Sequence, residues 1–292
     1  MKAQNKIKIF ISGANGFIGN HLKKKIDKKY TLLTPNKSKL NLNNSEILKN
    51  YLDTNRPHII VHLASSTKFK KNKIIEERNQ LLNTFNITKN LINNINTDCK
   101  LIIFFGSIEE YGLVKAPFKE HFKTKPISYY GKYKLKSLHY ILKKIKKKNI
   151  NYLWLRPSLT YGFGDNKERF LASLIESIKK NKTFVINSNK SIRDYLYVED
   201  LIKVLLLIIK NYKKNYKCIL NISSEQYVKI SKIPIIIEKL INRKIKYKIK
   251  SSVSKEIDLY SSNKKLIRYF PKLNFKSFKK GLKQILKHEK II

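Results

Sequence analysis

Tyr130 and Lys134 stand four residues apart at the start of a helical-period segment, so both side chains project from one face. A phenol with its usual pKa of about 10 is a poor base near neutrality. A neighbouring ammonium favours the phenolate and fits the pair to pass a proton to or from a substrate hydroxyl. Tyr129 and Tyr133 are the alternatives for that base; the Tyr130-Gly131 pair and the step to Lys134 select Tyr130. Upstream, Ser107 follows a strand predicted over 101–106, at the carboxyl end where parallel sheets bind ligands, and offers a hydroxyl to orient a substrate oxygen. Glu109 lies two positions further on and is the candidate second acid or base.

A second group of residues reads as an anion site. Gly13-Ala14-Asn15-Gly16-Phe17-Ile18-Gly19 directly follows an apolar run at 7–12 and opens a helical segment predicted over 17–29. Glycines at that junction permit a tight turn, close approach of backbone to a pyrophosphate and close packing of helix on strand. The helix N-terminus presents N–H groups to the anion. Gly13, Asn15, Gly16, Phe17, Ile18 and Gly19 are therefore candidate dinucleotide contacts.

The elements that must position these residues follow a repeated βα rhythm. Strands are predicted at 7–12, 30–34, 58–62, 101–106, 151–156 and 183–186, with helices at 17–29, 44–54, 73–96, 128–149, 167–180 and 198–211. This predicts an α/β fold, a Rossmann-type doubly wound parallel sheet with a smaller interleaved C-terminal substrate lobe. The cofactor-binding domain is expected over 1–165 and the substrate lobe over 166–292, with some segments returning to the main sheet and irregular chain around 162–168 and 187–195. The second strand ends in Thr34-Pro35-Asn36-Lys37-Ser38-Lys39, without the carboxylate that favours NAD. Lys37 or Lys39 can meet a 2′-phosphate, which tips the expectation to NADP over NAD.

Composition removes several other classes. Of 292 residues, 42% are hydrophobic and 11% aromatic, enough for a packed core. The formal charge of +43 comes from 56 lysines and only 7 arginines, spread end to end. A DNA reader uses the bidentate arginine fork, so the charge reads as compositional bias, with no nucleic-acid partner expected. It does favour an anionic substrate. Cys99 and Cys218 lie far apart with no metal-ligand spacing, so neither disulfide nor metal is expected. The longest apolar run, Val204 to Ile209, is far short of the roughly 20 residues of a membrane helix. With a strand in place of a signal peptide at the N-terminus, a soluble cytoplasmic protein is expected.

Taken together, Gly13–Gly19, Val61-His62-Leu63-Ala64, Gly106-Ser107-Ile108-Glu109-Glu110-Tyr111-Gly112, Tyr130-Gly131-Lys132-Tyr133-Lys134, Leu155-Arg156-Pro157 with Tyr161-Gly162, and Arg193-Asp194-Tyr195 with Val198-Glu199-Asp200-Leu201 resemble the extended short-chain dehydrogenase/reductase family, also called the NAD-dependent epimerase/dehydratase family. The resemblance covers nearly the whole chain. It implies that Lys134 also bonds the nicotinamide ribose, that Leu63, Ala64 and Pro157 line the cofactor, that Arg193 grips nucleotide-sugar phosphates, and that the protein is a homodimer. His62 reads as a packed histidine beside the cofactor, and Arg156 as structural. Departures are Ser65 where a small apolar residue is usual, and Thr84 where asparagine is usual, with Asn83 adjacent to compensate.

Family dehydratases place acid/base groups one and two positions after the serine or threonine. Here these are Ile108, which cannot donate a proton, and Glu109. The expected activity is oxidoreduction or epimerisation at C4 of a nucleotide-linked hexose, leaning to a 4-keto-sugar reductase. A 4-epimerase, a mannose-type 4,6-dehydratase and a non-catalytic NADP(H)-binding regulatory or structural protein are the alternatives.

Overall fold

The computed structural model describes residues 6–65, 74–187, 190–250 and 257–292. Two compact units emerge. The first comprises 1–112, 124–156 and 202–220, and the second 113–123, 157–201 and 221–292.

In chain order the elements are β1 (Lys8–Ser12), α1 (Phe17–Lys25), β2 (Thr31–Leu33), α2 (Ser45–Asn55), β3 (Ile59–His62), α3 (Ile74–Asn94), β4 (Leu101–Phe105), a 3-10 turn at Ile108–Glu110, α4 (Tyr129–Ile145) and β5 (Asn151–Pro157). They continue with β6 (Leu159–Tyr161), α5 (Phe170–Lys179), β7 (Phe184–Ile186), β8 (Ile192–Tyr197), α6 (Val198–Lys210), β9 (Lys217–Ile222), β10 (Tyr227–Lys229), α7 (Ile233–Ile241), β11 (Tyr247–Ile249), α8 (Lys264–Tyr269) and α9 (Phe278–His288).

The main sheet runs β2-β1-β3-β4-β5-β9. Its pairings are parallel, with Phe10 opposite Ile60, Ile60 opposite Ile102 and Phe104 opposite Trp154. Every residue of β3 and β4 is buried, as strands covered on both faces must be. Alternation divides them: Phe10, Ile60, Ile102 and Phe104 pack in one core with Leu52 of α2, Leu91 of α3 and Ile141 of α4. Ile9, Ile11, Ile59, Val61 and Ile103 are as deeply buried on the other parity. Polar caps start the helices: the Asn44 side chain accepts from Glu46 and Ile47 N–H, and that of Ser128 from Gly131 N–H. The chain leaves β1 for β2 on one side and returns to β3 on the other. This reversal puts the switch point of a doubly wound sheet at the carboxyl ends of β1 and β3, where Gly13 and Ala64 lie.

The second unit holds a three-stranded sheet, β10-β8-β6, and a parallel pair, β7 with β11. Tyr161, Tyr195, Tyr197 and Phe278 form an aromatic cluster in its core with Leu174, Ile237 and Leu282. The strand expected at 183–186 is β7, which among the described residues pairs with β11. The sixth strand of the main sheet, β9, was not foreseen, and one expectation is corrected. The segment expected to be irregular at 187–195 contains the start of β8, whose Asp194 accepts from the Ser223 and Ser224 hydroxyls at 2.5 Å each and so enters a buried strand. The first helix ends at Lys25 rather than 29, and α4 at Ile145 rather than 149. Among the described residues no helix is long and apolar enough to cross a membrane.

Candidate active site

A cavity of about 1420 Å³ opens at the switch point, lined by Gly13, Asn15 and Gly16 of the glycine loop, by Pro35, Asn36 and Lys37 after β2, and by Ala64 and Ser65 after β3. That exceeds the roughly 300–1,000 Å³ of ordinary small-molecule clefts, as a ligand with the length of a dinucleotide requires. The loop is cut for close approach. Gly13 has φ +72°, and a Cβ there would lie 2.7 Å from the backbone nitrogen of Ala64. A Cβ on Gly19 would lie 2.6 Å from the Gly13 oxygen, so α1 rests directly on the loop. No side chain caps α1 and its first turn carries no carboxylate, which leaves its N–H groups to an external anion. Ser65 Oγ is sealed from solvent and has no partner among the described residues. A dinucleotide fits these features: a pyrophosphate at the helix N-terminus and a hydrogen-bonding group at Ser65.

The candidate residues divide by place. Gly13, Asn15, Gly16, Lys37 and Ala64 line the cavity, whereas Phe17, Ile18 and Gly19 form the first turn of α1 beside it and Leu63 is half-buried just before Ala64. Asn83 also lines the cavity, while Thr84 is buried and bonds Gln80 O within α3, so the asparagine one position early takes the exposed place. Sequence reasoning missed Asn36, Asn41, Asn79 and Gln80, which line the same cavity. Their polarity carried no signal in a chain so rich in polar residues.

The candidate proton-handling residues gather at the carboxyl end of β4. Ser107 caps the 3-10 turn: its Oγ accepts from Glu109 N–H at 3.2 Å, and Glu110 Oε1 accepts from Ser107 N–H at 2.8 Å. The start of α4 lies against that turn, since a Cβ at Gly131 would fall 2.5 Å from the Glu109 oxygen. Lys134 is buried with Nζ donating to Phe105 O at 2.8 Å, 5.5 Å from the centroid of the Tyr130 ring. Burial pulls its pKa down to about 8, and the Glu110 carboxylate opposes that fall. Glu109 is half-buried and accepts from the Ser128 hydroxyl at 2.6 Å, which in turn caps α4. The structure thus brings Ser107, Glu109, Tyr130 and Lys134 onto one turn and the helix end packed on it.

His62 is wholly enclosed. The Thr88 hydroxyl donates to Thr84 O at 2.9 Å, so its oxygen accepts from His62 Nε2–H at 2.9 Å, and Nδ1 accepts from the Ser12 hydroxyl at 2.7 Å. Burial first, then the Lys134 charge, hold its pKa down to about 3. The imidazole is neutral and ties β1, β3 and α3 together beneath the cavity. In the second unit, Pro157 ends β5 and Arg193 Nη1 donates to Ile192 O at 3.0 Å and Ile257 O at 2.5 Å.

Residues 9–223 match the NAD dependent epimerase/dehydratase family. The chain belongs to that family of NAD(P)-dependent enzymes, and its sheet is of the Rossmann type. It is 26% identical over 218 residues to GDP-6-deoxy-D-talose 4-dehydrogenase of Aggregatibacter actinomycetemcomitans, covering 72% of each chain. It is 29% identical over 196 residues to dTDP-4-dehydro-6-deoxyglucose reductase of Escherichia coli, covering 63% of this chain and 60% of that one. Among solved structures, UDP-glucuronic acid 4-epimerase from Bacillus cereus, bound to UDP-glucuronic acid and NAD, superposes with a TM-score of 0.83 at 19% identity, over 97% of this chain and 99% of that one. RMD from Pseudomonas aeruginosa, complexed with NADPH, superposes with a TM-score of 0.82 at 20% identity, over 96% and 98%.

Proposed function

We propose that the protein is a cytoplasmic, homodimeric nucleotide-sugar oxidoreductase that reduces the 4-keto group of a nucleotide-linked hexose, with NADPH preferred to NADH. The observation that carries the reading is the buried Lys134 ammonium seated on Phe105 O beneath the Tyr130 ring, next to the turn that Ser107 caps. A bound nicotinamide dinucleotide would supply the hydride. Tyr130 gives its proton to the developing C4 oxygen, Ser107 donates a hydrogen bond to that oxygen, and Lys134 makes the tyrosinate the better leaving base. Ile108 offers no proton where a dehydratase needs one, and the engagement of Glu109 with Ser128 gives that carboxylate a role in capping α4. These features favour reduction over 4,6-dehydration. The curated relatives named as a 4-dehydrogenase and a 4-dehydro-sugar reductase support chemistry at the same carbon. Lys37 on the cavity wall, in a stretch 34–39 that carries no carboxylate, supports NADPH. The first unit is the cofactor-binding part, and the second, with Arg193, the substrate-binding part.

The test is turnover. The protein is incubated with GDP-, dTDP-, CDP- and UDP-linked 4-keto-6-deoxyhexoses, and the loss of reduced nicotinamide is followed. Stoichiometric oxidation of NADPH is expected with at least one substrate, and Tyr130→Phe lowers kcat by roughly 10²–10⁴-fold while retaining cofactor. Interconversion of two 4-epimers without net oxidation would replace reduction with epimerisation. Binding of neither dinucleotide would remove the reading altogether.

A further inference from the structure

We propose that Glu110 is a positioning residue for this reaction: its buried carboxylate fixes the backbone of Ser107 and supplies the counter-charge that keeps Lys134 an ammonium. The inference rests on the reading of Ser107, Tyr130 and Lys134 given above.

Glu110 is fully buried. Its Oε1 accepts from Ser107 N–H at 2.8 Å and from Trp154 Nε1 at 3.0 Å, and its Oε2 accepts from Trp154 Nε1 at 3.2 Å and Arg156 Nε at 2.8 Å. Each of those partners is a donor. A protonated acid would have to turn an O–H toward an N–H, so the group is a carboxylate although burial pushes its pKa upward; the Arg156 guanidinium beside it opposes that push. A buried ion pair is seldom worth more to stability than an apolar pair of the same volume, so its presence here calls for another use.

Two uses are visible in the geometry. Holding the Ser107 N–H closes the reciprocal cap in which Ser107 Oγ accepts from Glu109 N–H. With a lone pair of that hydroxyl committed to the turn, its hydrogen is directed outward as a donor. The second use is electrostatic. Among the described residues, the titratable or charged groups that act on Lys134 are Tyr130 on its own helix, His62 on β3 and Glu110 on the turn, with Arg156 on β5 paired to Glu110. Lys134 Nζ is held on Phe105 O, and Glu110 Oε1 sits against Gly106 and Ser107 N–H, the next two residues of the chain. His62 is neutral, so the neighbouring Glu110 carboxylate is the charge that opposes the effect of burial on Lys134. One carboxylate therefore serves both the residue that orients the substrate oxygen and the residue that tunes the tyrosine.

Glu110→Gln keeps an acceptor for Ser107 N–H and removes the charge. Because its amide nitrogen would face Arg156, the double variant Glu110→Gln with Arg156→Leu is made beside it, and folding is followed by emission of Trp154, the single tryptophan. Lys134 is titrated by NMR of isotope-labelled lysine side chains, its resonance assigned by its loss in Lys134→Met. In the wild type its midpoint is expected near 8. In whichever variant folds, it falls by about one pH unit, cutting the ammonium fraction midway between the two midpoints about threefold. The alkaline limb of kcat moves to lower pH with it, while KM stays nearly unchanged. A folded variant with an unmoved Lys134 midpoint overturns the proposal, as does failure of both variants to fold, which would make the pair a stability element alone. If the wild type neither binds dinucleotide nor turns over, the proposed function fails instead, a result that the Lys134 titration does not affect.

Discussion

Substituting the first two glycines of the loop should separate folding from cofactor binding. In Gly13→Ala the backbone must keep φ at +72°, a left-handed conformation that costs an L-residue roughly 1–2 kcal/mol. The new Cβ would also stand 2.7 Å from Ala64 N and 2.8 Å from Ala64 Cα. Those are backbone atoms at the end of a strand buried along its whole length, so they cannot swing aside as a side chain would. Overpacking of that kind adds roughly 1–3 kcal/mol, giving a total of about 2–5 kcal/mol. Gly16→Ala differs. Gly16 sits in an extended conformation open to any residue, and its Cβ would meet only Gly13 O at 3.3 Å. Replacing a glycine N-cap by alanine there costs about 1 kcal/mol. Yet Gly16 lines the cavity, so the added methyl occupies the place where a pyrophosphate would touch backbone. Urea unfolding followed by emission of Trp154, buried in β5 of the same unit, measures the first quantity, and fluorescence titration with NADPH the second. Gly13→Ala is expected to lose a large part of the 5–15 kcal/mol typical of a folded domain. Gly16→Ala is expected to unfold near the wild-type midpoint but to bind NADPH at least tenfold more weakly. An unchanged unfolding midpoint for Gly13→Ala would refute the close-approach argument; unchanged binding by folded Gly16→Ala would refute the assignment of the loop to the pyrophosphate.

Other outcomes follow from single contacts. His62 has a folded pKa of about 3 against 6.5 in an exposed state, so the unfolded chain binds the extra proton and stability falls as pH drops from 6.5 toward 3. The slope is about 1.4 kcal/mol per pH unit inside that window, and His62→Asn should show a correspondingly flatter dependence of its urea midpoint between pH 6.5 and 5. In the second unit, Gly281→Ala would put a Cβ 2.2 Å from Tyr161 Oη and should destabilise by roughly 1–3 kcal/mol; adding Tyr161→Phe should restore most of the loss, and additive effects in that double-mutant cycle would dismiss the contact as the cause. Lys37→Asp should reverse the preference between NADPH and NADH, read from paired Kd values at fixed salt; an unchanged ratio would show that Lys37 does not meet the 2′-phosphate.

What could be read from the chain, and what could not, divides by how local the determining contact is. The glycine loop and the Tyr130–Lys134 step are set by short-range rules, strand then turn then helix, and each was visible in adjacent residues. β8 was hidden because Arg193 and Asp194 interrupt its apolar run. Asp194 enters a buried strand only because Ser223 and Ser224, some thirty residues away, donate to it. β9 was hidden for a related reason: Lys217–Ile222 has three residues that are not buried at its start, and its membership of the main sheet depends on pairing beside β5 rather than on its own pattern. Glu110 shows the same limit at the site. Beside Glu109 it looked like one more carboxylate in a polar turn, and nothing in the local spacing tells which of the two faces inward. Trp154 and Arg156 on β5 decide that, because their two inward N–H groups need an acceptor where the sheet ends. The local motif therefore names the candidate residues of the site, while long-range donors determine which neighbouring carboxylate is buried against them.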